Sequence, residues 1–348
     1  MIRSVLRPLA VAVTVLALAR CSGDTTPTQP DREPGASTAA PSFALAANSW
    51  TPKAAPLFDA AELDAVEVTI APGHSLVYAI GGHADEATGF PIEAYDLATN
   101  TWTRKQSVSD LYGTNGTGKI GTLVYFSGGY TISSEIFTSA RVFAYNPVTD
   151  VLTRKADMPL HLADGVTGAI NGKLYVLPGV CGGEGYPDPT YCAVEPIRTL
   201  YRYDPGTNTW ATRRPCPHFH RQAGGGVING KFYVVGGQSD KGNTATLDVY
   251  DPVTNTWTTR APIPTAGMAK ATVLQNKLFV VTVTVSNNQF VFKAYAYDPV
   301  ANTWNRRASP PTWGALSRIQ LDGHPHVLSV NGGGSFGGTP PPSQLYTP

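Results

Sequence analysis

His218 and His220 flank Phe219 and stand immediately before Arg221. Alternate side chains of an extended segment share one side, so the two imidazoles could share a metal ion. A third ligand would come from another loop, for instance His161 or His83. No spacing demands such a site and no C-x-x-C pattern occurs, so the expectation is that the chain holds no metal and no cofactor. His161 and His220 are instead candidates for ligand binding, against the plainer reading of ordinary hydrogen-bonded loop histidines. Cationic residues form a second constellation. Counted from Pro217, Pro264 and Pro310, the residues Arg221, Lys270 and Arg318 stand four, six and eight positions on, all of one parity. A charge is not packed between apolar layers, so this parity is expected to face a polar channel. Looser alignment adds Tyr112 and Glu67. Such a set around one funnel would suit a small anionic ligand such as a carboxylated sugar, although a wet polar channel with no ligand is the competing reading.

Two further motifs are weaker than they look. Gly113-Thr114-Asn115-Gly116-Thr117-Gly118-Lys119-Ile120 nearly spells a phosphate-binding loop, but Ile120 replaces the required Ser or Thr. A strand at Leu123 to Phe126, not a helix, is expected to follow, so no helix N-terminus would meet a phosphate. Cys181 and Cys192 bracket a ten-residue loop, and a bridge between them would staple it. A Cys192–Cys216 bridge competes, and one thiol is left over in either case.

These residues hang on a repeated phrase. It reads Tyr95-Asp96-Leu97-Ala98-Thr99-Asn100-Thr101-Trp102, decays to Tyr145 through Leu152, and returns at Tyr203 to Trp210, Tyr250 to Trp257 and Tyr297 to Trp304. The tyrosines are 50, 58, 47 and 47 residues apart, a period that marks a repeat fold. Pro-Val-Thr-Asn supplies turn chemistry between two strands. About twenty residues after each Trp comes a second hairpin signal, clearest at Asn171-Gly172 and Asn229-Gly230, followed by an apolar strand. Each repeat is therefore four strands. A lone sheet of this kind cannot bury both faces, so neighbours must stack around an axis. The C-terminal Leu345-Tyr346-Thr347-Pro348 reads as a third strand, and Asn48-Ser49-Trp50-Thr51 as a fourth strand with no third before it. The expected fold is all-β: a six-bladed propeller of four-stranded antiparallel blades, closed by an N-terminal strand completing the last blade.

The glycine pairs Gly81-Gly82, Gly128-Gly129, Gly236-Gly237 and Gly332-Gly333, with the Tyr and Trp of the phrase, resemble the kelch family of β-propellers. Pro178-Gly179-Val180 and Val281-Thr282-Val283 depart from the pattern. The likeness runs from about residue 48 to the C-terminus and implies a binding module whose loops meet a protein or glycan. Bacterial sialic acid mutarotases share it and imply the alternative, a carbohydrate-active enzyme working in the axial funnel. There Glu67 would be the general acid/base, and Arg221 and Arg318 would hold a carboxylate. Galactose oxidases also share it, but no Tyr-His pair stands on a propeller loop here and Cys216 has no evident Tyr partner.

Residues 1–20 read as a signal peptide, with Arg3 and Arg7 before an apolar run. Leu18-Ala19-Arg20-Cys21 resembles a bacterial lipobox, which would lipidate Cys21, although Arg20 stands where a small residue is usual. Residues 21–47 read as a Thr/Pro/Ser-rich tether and 48–348 as the propeller. The expected location is thus the periplasm or cell surface, with membrane contact only through a lipid anchor. A formal charge of +1 and no basic run argue against a nucleic-acid partner.

Overall fold

The computed structural model describes residues 47–58, 63–82, 90–109, 111, 113–132, 136–181, 197–321, 323–331 and 340–348. The signal-peptide and lipidation readings at 1–20 and Cys21 lie outside these residues, as does the tether apart from Ala47. Six four-stranded antiparallel sheets follow one another along the chain. Strands a to d of blade 1 are Leu63–Ala71, His74–Gly81, Phe90–Asp96 and Thr101–Val108. Blade 2 is Thr117–Ile120, Leu123–Ser127, Val142–Asn146 and Val151–Arg154, and blade 3 is Val166–Ile170, Lys173–Leu177, Leu200–Asp204 and Thr209–Arg213. Blade 4 is Gly224–Ile228, Lys231–Val235, Leu247–Asp251 and Thr256–Arg260, and blade 5 is Met268–Leu274, Lys277–Ser286, Gln289–Asp298 and Thr303–Arg307. Blade 6 takes strands a to c from Gly314–Leu321, His324–Asn331 and Gln344–Thr347, and its d strand from Ser49–Pro52. Tyr346 pairs with Trp50 in that closing ladder, as Tyr250 pairs with Trp257 within blade 4.

Blade 5 shows why its glycine pair is replaced by Val281-Thr282-Val283. Strands b and c run on as one long hairpin to a turn at Asn287-Asn288, both with positive φ (50° and 58°), so no glycine turn is needed at the end of strand b.

The core is distributed. Six buried apolar clusters each join two successive blades, from blades 1 and 2 round to blades 6 and 1. Burial is therefore a nearest-neighbour affair, as a stacked array requires. The strand-c tyrosines sit at these seams, and Tyr95, Tyr145, Tyr203, Tyr250 and Tyr297 are fully buried.

The repeated phrase is a clamp across each seam. In blade 5 the Tyr297 hydroxyl donates to Asn302 Oδ1 at 2.7 Å, and the Ala261 N–H from the end of blade 4 donates to the same oxygen at 3.0 Å. Trp304 Nε1 donates to the Ala261 carbonyl at 2.8 Å. One residue of the preceding blade is thus held by both its backbone groups. The same pairing recurs with Ala54, Ala156, Arg214 and Ala308 as the held residue. Asn tolerates the left-handed backbone this needs, and Asn302 has φ 56°. At the seam between blades 1 and 2, where the phrase has Asp150 and Leu152, the described contact is Gln106 Nε2 donating to the Asp150 carbonyl at 2.9 Å. The tryptophans lie half-buried over the seams, save the better buried Trp102, rather than wedged inside them; the tyrosines do the filling.

Candidate functional site

The inner strands surround an axial cavity of about 510 Å³. Its wall is largely backbone and short side chains, because the blades crowd together there. A Cβ on Gly168 would stand 2.8 Å from Phe232 Cδ2, and one on Gly226 2.8 Å from Val273 Cγ2. Lys119, Lys270, Arg318 and Asp64 line this wall. Lys270 Nζ stands 3.8 Å from Asp64 Oδ1 and donates to the Leu63 carbonyl at 3.3 Å. Thr114 Oγ1 donates to Asp64 Oδ2 at 2.9 Å. Asp64 and Lys270 stand near the start of their strands, whereas Lys119 is one residue from the end of its own. The charges are therefore spread along the axis rather than gathered at one point.

Lys270 and Arg318 reach the cavity as their shared parity requires. Arg221 does not. Its Nε donates to Asp164 Oδ2 at 2.8 Å and its backbone bridges to Gln238, because it precedes the strand that opens at Gly224 and strand parity does not extend to it. Burial opposes the Arg221 charge, but Asp164 and Tyr130 more than offset this and hold its pKa above the ordinary value. Glu67 is also displaced from the role expected of it. Its Oε1 accepts from the Gln320 N–H of blade 6 at 3.0 Å, which stitches that seam, and Asp64 is the acid on the cavity wall among the described residues. His161 is tied to blade 2, where its Nδ1 bonds the Thr138 carbonyl at 3.0 Å and Thr138 Oγ1 donates to the His161 carbonyl at 3.1 Å. Tyr112 and His83 lie outside the described residues. Lys119 was visible only as part of the near-miss phosphate loop. That segment is the inner strand of blade 2, Thr117–Ile120, followed by a hairpin into strand b.

His218 and His220 do share a side, but not at the axis. Both face Asp248 Oδ2, His218 Nδ1 at 2.8 Å and His220 Nε2 at 3.1 Å. Cys216 Sγ lies 3.5 Å from the same oxygen, and Thr259 Oγ1 donates to Oδ1 at 2.7 Å. Asp248, His220 and Cys216 are fully buried or nearly so. Burial alone would lift the Asp248 carboxyl, but bonds from His220, Thr259 and His218 hold it below the usual carboxylate range. Burial, then Asp248, pushes the Cys216 thiol far up, so without a cation it is a poor nucleophile. Cys216 is a free thiol and Cys181 is disulfide-bonded; Cys192 lies outside the described residues.

Asp248 stands two residues before the strand-c tyrosine. The same position in blade 1 is Glu93, also buried, with Oε2 accepting from the Leu57 N–H at 3.2 Å and Oε1 unpartnered. Burial pushes the Glu93 carboxyl up to about 7, against the opposing pull of the Leu57 and Phe58 N–H groups and Arg104. The other blades carry Phe143, Tyr201, Tyr295 and Gln344 there. An acid in an apolar strand at this one repeat position is the signal that could have revealed both sites.

A family model of the Kelch motif matches residues 163–217 and 220–264. An F-box/kelch-repeat protein of Arabidopsis thaliana is 32% identical over 135 residues, covering 37% of this chain and 32% of that protein. Kelch-like ECH-associated protein 1B of Danio rerio is 34% identical over 124 residues, covering 35% of this chain and 19% of that protein. The matched segments thus span about a fifth to a third of these relatives. The solved structure of YjhT superposes with a TM-score of 0.63 at 17% identity, covering 84% of this chain and 96% of that one, a likeness of fold.

Proposed function

We propose that this chain, a kelch-repeat β-propeller, is a rigid binding module that presents its blade loops to a protein or glycan partner at the bacterial envelope. Kelch propellers commonly serve as protein-binding modules, and loops on a rigid scaffold are where binding concentrates. The observation that carries the reading is that the acids at and around the axis are engaged in contacts between blades. Asp64 holds Lys270, Asp164 holds Arg221, and Glu67 holds a backbone N–H of blade 6. The acids that catalysis in the funnel would need are engaged in holding blades together. Export and lipidation at Cys21 are supported by the N-terminal sequence alone.

A second reading rests on a different observation. Lys119, Lys270 and Arg318 line one cavity of about 510 Å³ and outnumber Asp64, a balance that favours a small anion such as an acidic sugar. A sialic acid mutarotase type of activity would then have to work there without Glu67. Thermal-shift measurements on the purified chain against sialic acids, uronic acids and neutral sugars separate the readings. A ligand at a hundred times its Kd adds about 2.7 kcal/mol. The binding-module reading expects no shift that depends on the axial Arg318. A shift with acidic sugars that Arg318→Ala abolishes would replace it with the second.

A further inference from the structure

Cys216, His220 and Asp248 meet at the seam of blades 3 and 4, and their ligand atoms lie within 4.8 Å of one another with all three residues buried. Cys216 and His220 belong to the connection that follows strand d of blade 3. Asp248 belongs to strand c of blade 4, opposite Val234 and Thr259. A tetrahedral Zn(II) ion with Zn–S of about 2.3 Å and Zn–N or Zn–O of about 2.0–2.2 Å spaces its ligand atoms by roughly 3.3–3.7 Å. The separations to Asp248 Oδ2 are 3.5 Å from Cys216 Sγ and 3.1 Å from His220 Nε2. Small side-chain shifts would close this set onto one ion.

The hydrogen bonding leaves one position at this point to be filled by a proton or a metal ion. His220 Nδ1 lies 2.9 Å from the Gly236 carbonyl. A carbonyl only accepts, so Nδ1 carries the hydrogen. The neutral ring then turns a bare Nε2 toward a carboxylate oxygen, and two acceptors would face each other across 3.1 Å. Either a second proton or a metal ion must lie between them. The outer contacts match those of a metal site. Ligating histidines donate their far N–H to a carbonyl, and ligating carboxylates are themselves hydrogen-bonded, as Thr259 does for Asp248 Oδ1 here. His218 Nδ1 stands 2.8 Å from Asp248 Oδ2 with its side chain 47% exposed; it is a further hydrogen bond to the ligating carboxylate and marks the entry path, by which water can fill a fourth position.

We propose that Cys216, His220 and Asp248, completed by water, form a site for one borderline-soft divalent ion, Zn(II) in the first place, that staples blade 3 to blade 4. Binding converts the Cys216 thiol to a thiolate and removes any second proton from His220, both protons leaving to solvent. The soft thiolate with an imidazole excludes Mg(II) and Ca(II) as the fitting ions. This site is independent of any ligand in the axial cavity.

The test uses the full chain stripped with a chelator and titrated with Co(II), then Zn(II). The expected result is one equivalent of Co(II) bound with thiolate-to-cobalt charge-transfer absorption, displacement by Zn(II), and a rise in melting temperature with Zn(II). Cys216→Ser should lose the charge-transfer band. Asp248→Asn and His220→Gln should weaken binding at least tenfold, with each variant's fold checked by circular dichroism. No metal-dependent absorption in the wild-type chain, or a band that persists in Cys216→Ser, overturns the proposal. Where Cys216→Ser does not fold, X-ray absorption of the zinc-loaded wild-type chain decides. A shell of one sulfur with nitrogen and oxygen neighbours supports the site, and a shell with no sulfur or several sulfurs overturns it.

Discussion

The seam clamp makes a quantitative prediction at Asn302. Its Oδ1 accepts from the buried Tyr297 hydroxyl at 2.7 Å and from the Ala261 N–H of the neighbouring blade at 3.0 Å. Truncation to Ala removes this one acceptor and with it both bonds. Each bond contributes about 1 kcal/mol net, and a donor left without a partner costs about 1–3 kcal/mol. Asn302 also has φ 56°, a left-handed conformation that costs Ala roughly 1–2 kcal/mol. Asn302→Ala should therefore destabilise by about 3–5 kcal/mol. Asn302→Gly removes the same acceptor without the backbone strain and should recover about 1 kcal/mol of that loss. Asn302→Asp keeps an oxygen for both donors, as Asp150 does for Tyr145 in blade 2, and should stay close to wild type. Urea unfolding of the four proteins, followed by tryptophan fluorescence and circular dichroism, gives the order Asn and Asp above Gly above Ala. Equal midpoints for Ala and wild type would refute the clamp, and Gly below Ala would refute the strain argument.

Other measurements follow from the same geometry. Trp257→Ala should cost about 2–4 kcal/mol in melting or denaturant experiments, the lower part of the large-to-small range, because the ring is only half-buried and loses its bond to the Arg214 carbonyl. Gly168→Ala should cost about 1–3 kcal/mol by overpacking against Phe232, with strand φ as before; an unchanged midpoint would show that the blades are not crowded at the axis. Glu93, with its carboxyl raised to about 7, binds more protons folded than unfolded between its ordinary carboxylate value and about 7. Its contribution therefore favours the fold at acid pH and is lost as pH rises through that window, by about 3 kcal/mol at most. Glu93→Gln should flatten that part of the stability–pH profile, and an identical slope in the variant would discount the buried acid.

The repeat phrase was legible because its determinants are local. A Pro-x-Thr-Asn turn, a strand-forming Tyr before it and a Trp after it dictate a c–d hairpin, and recurrence near 50 residues dictates stacking, six blades and closure of Gln344–Thr347 by Ser49–Pro52. Strand parity likewise carried Lys270 and Arg318 to the axis, because both stand within inner strands. Parity failed for Arg221, which stands before its strand begins and is held instead by Asp164 of the preceding blade. It also could not show that Glu67 would meet the backbone of Gln320, 253 residues away. Alternation put His218 and His220 on one side, but the acid they meet is supplied by another strand, about thirty residues on. Turn chemistry and alternation act within a few residues and can be read from the chain itself. Which backbone group each clamp grips, and which acid each cation or imidazole faces, depends on contacts between blades, and those distances exist only once the sheets have closed around the axis.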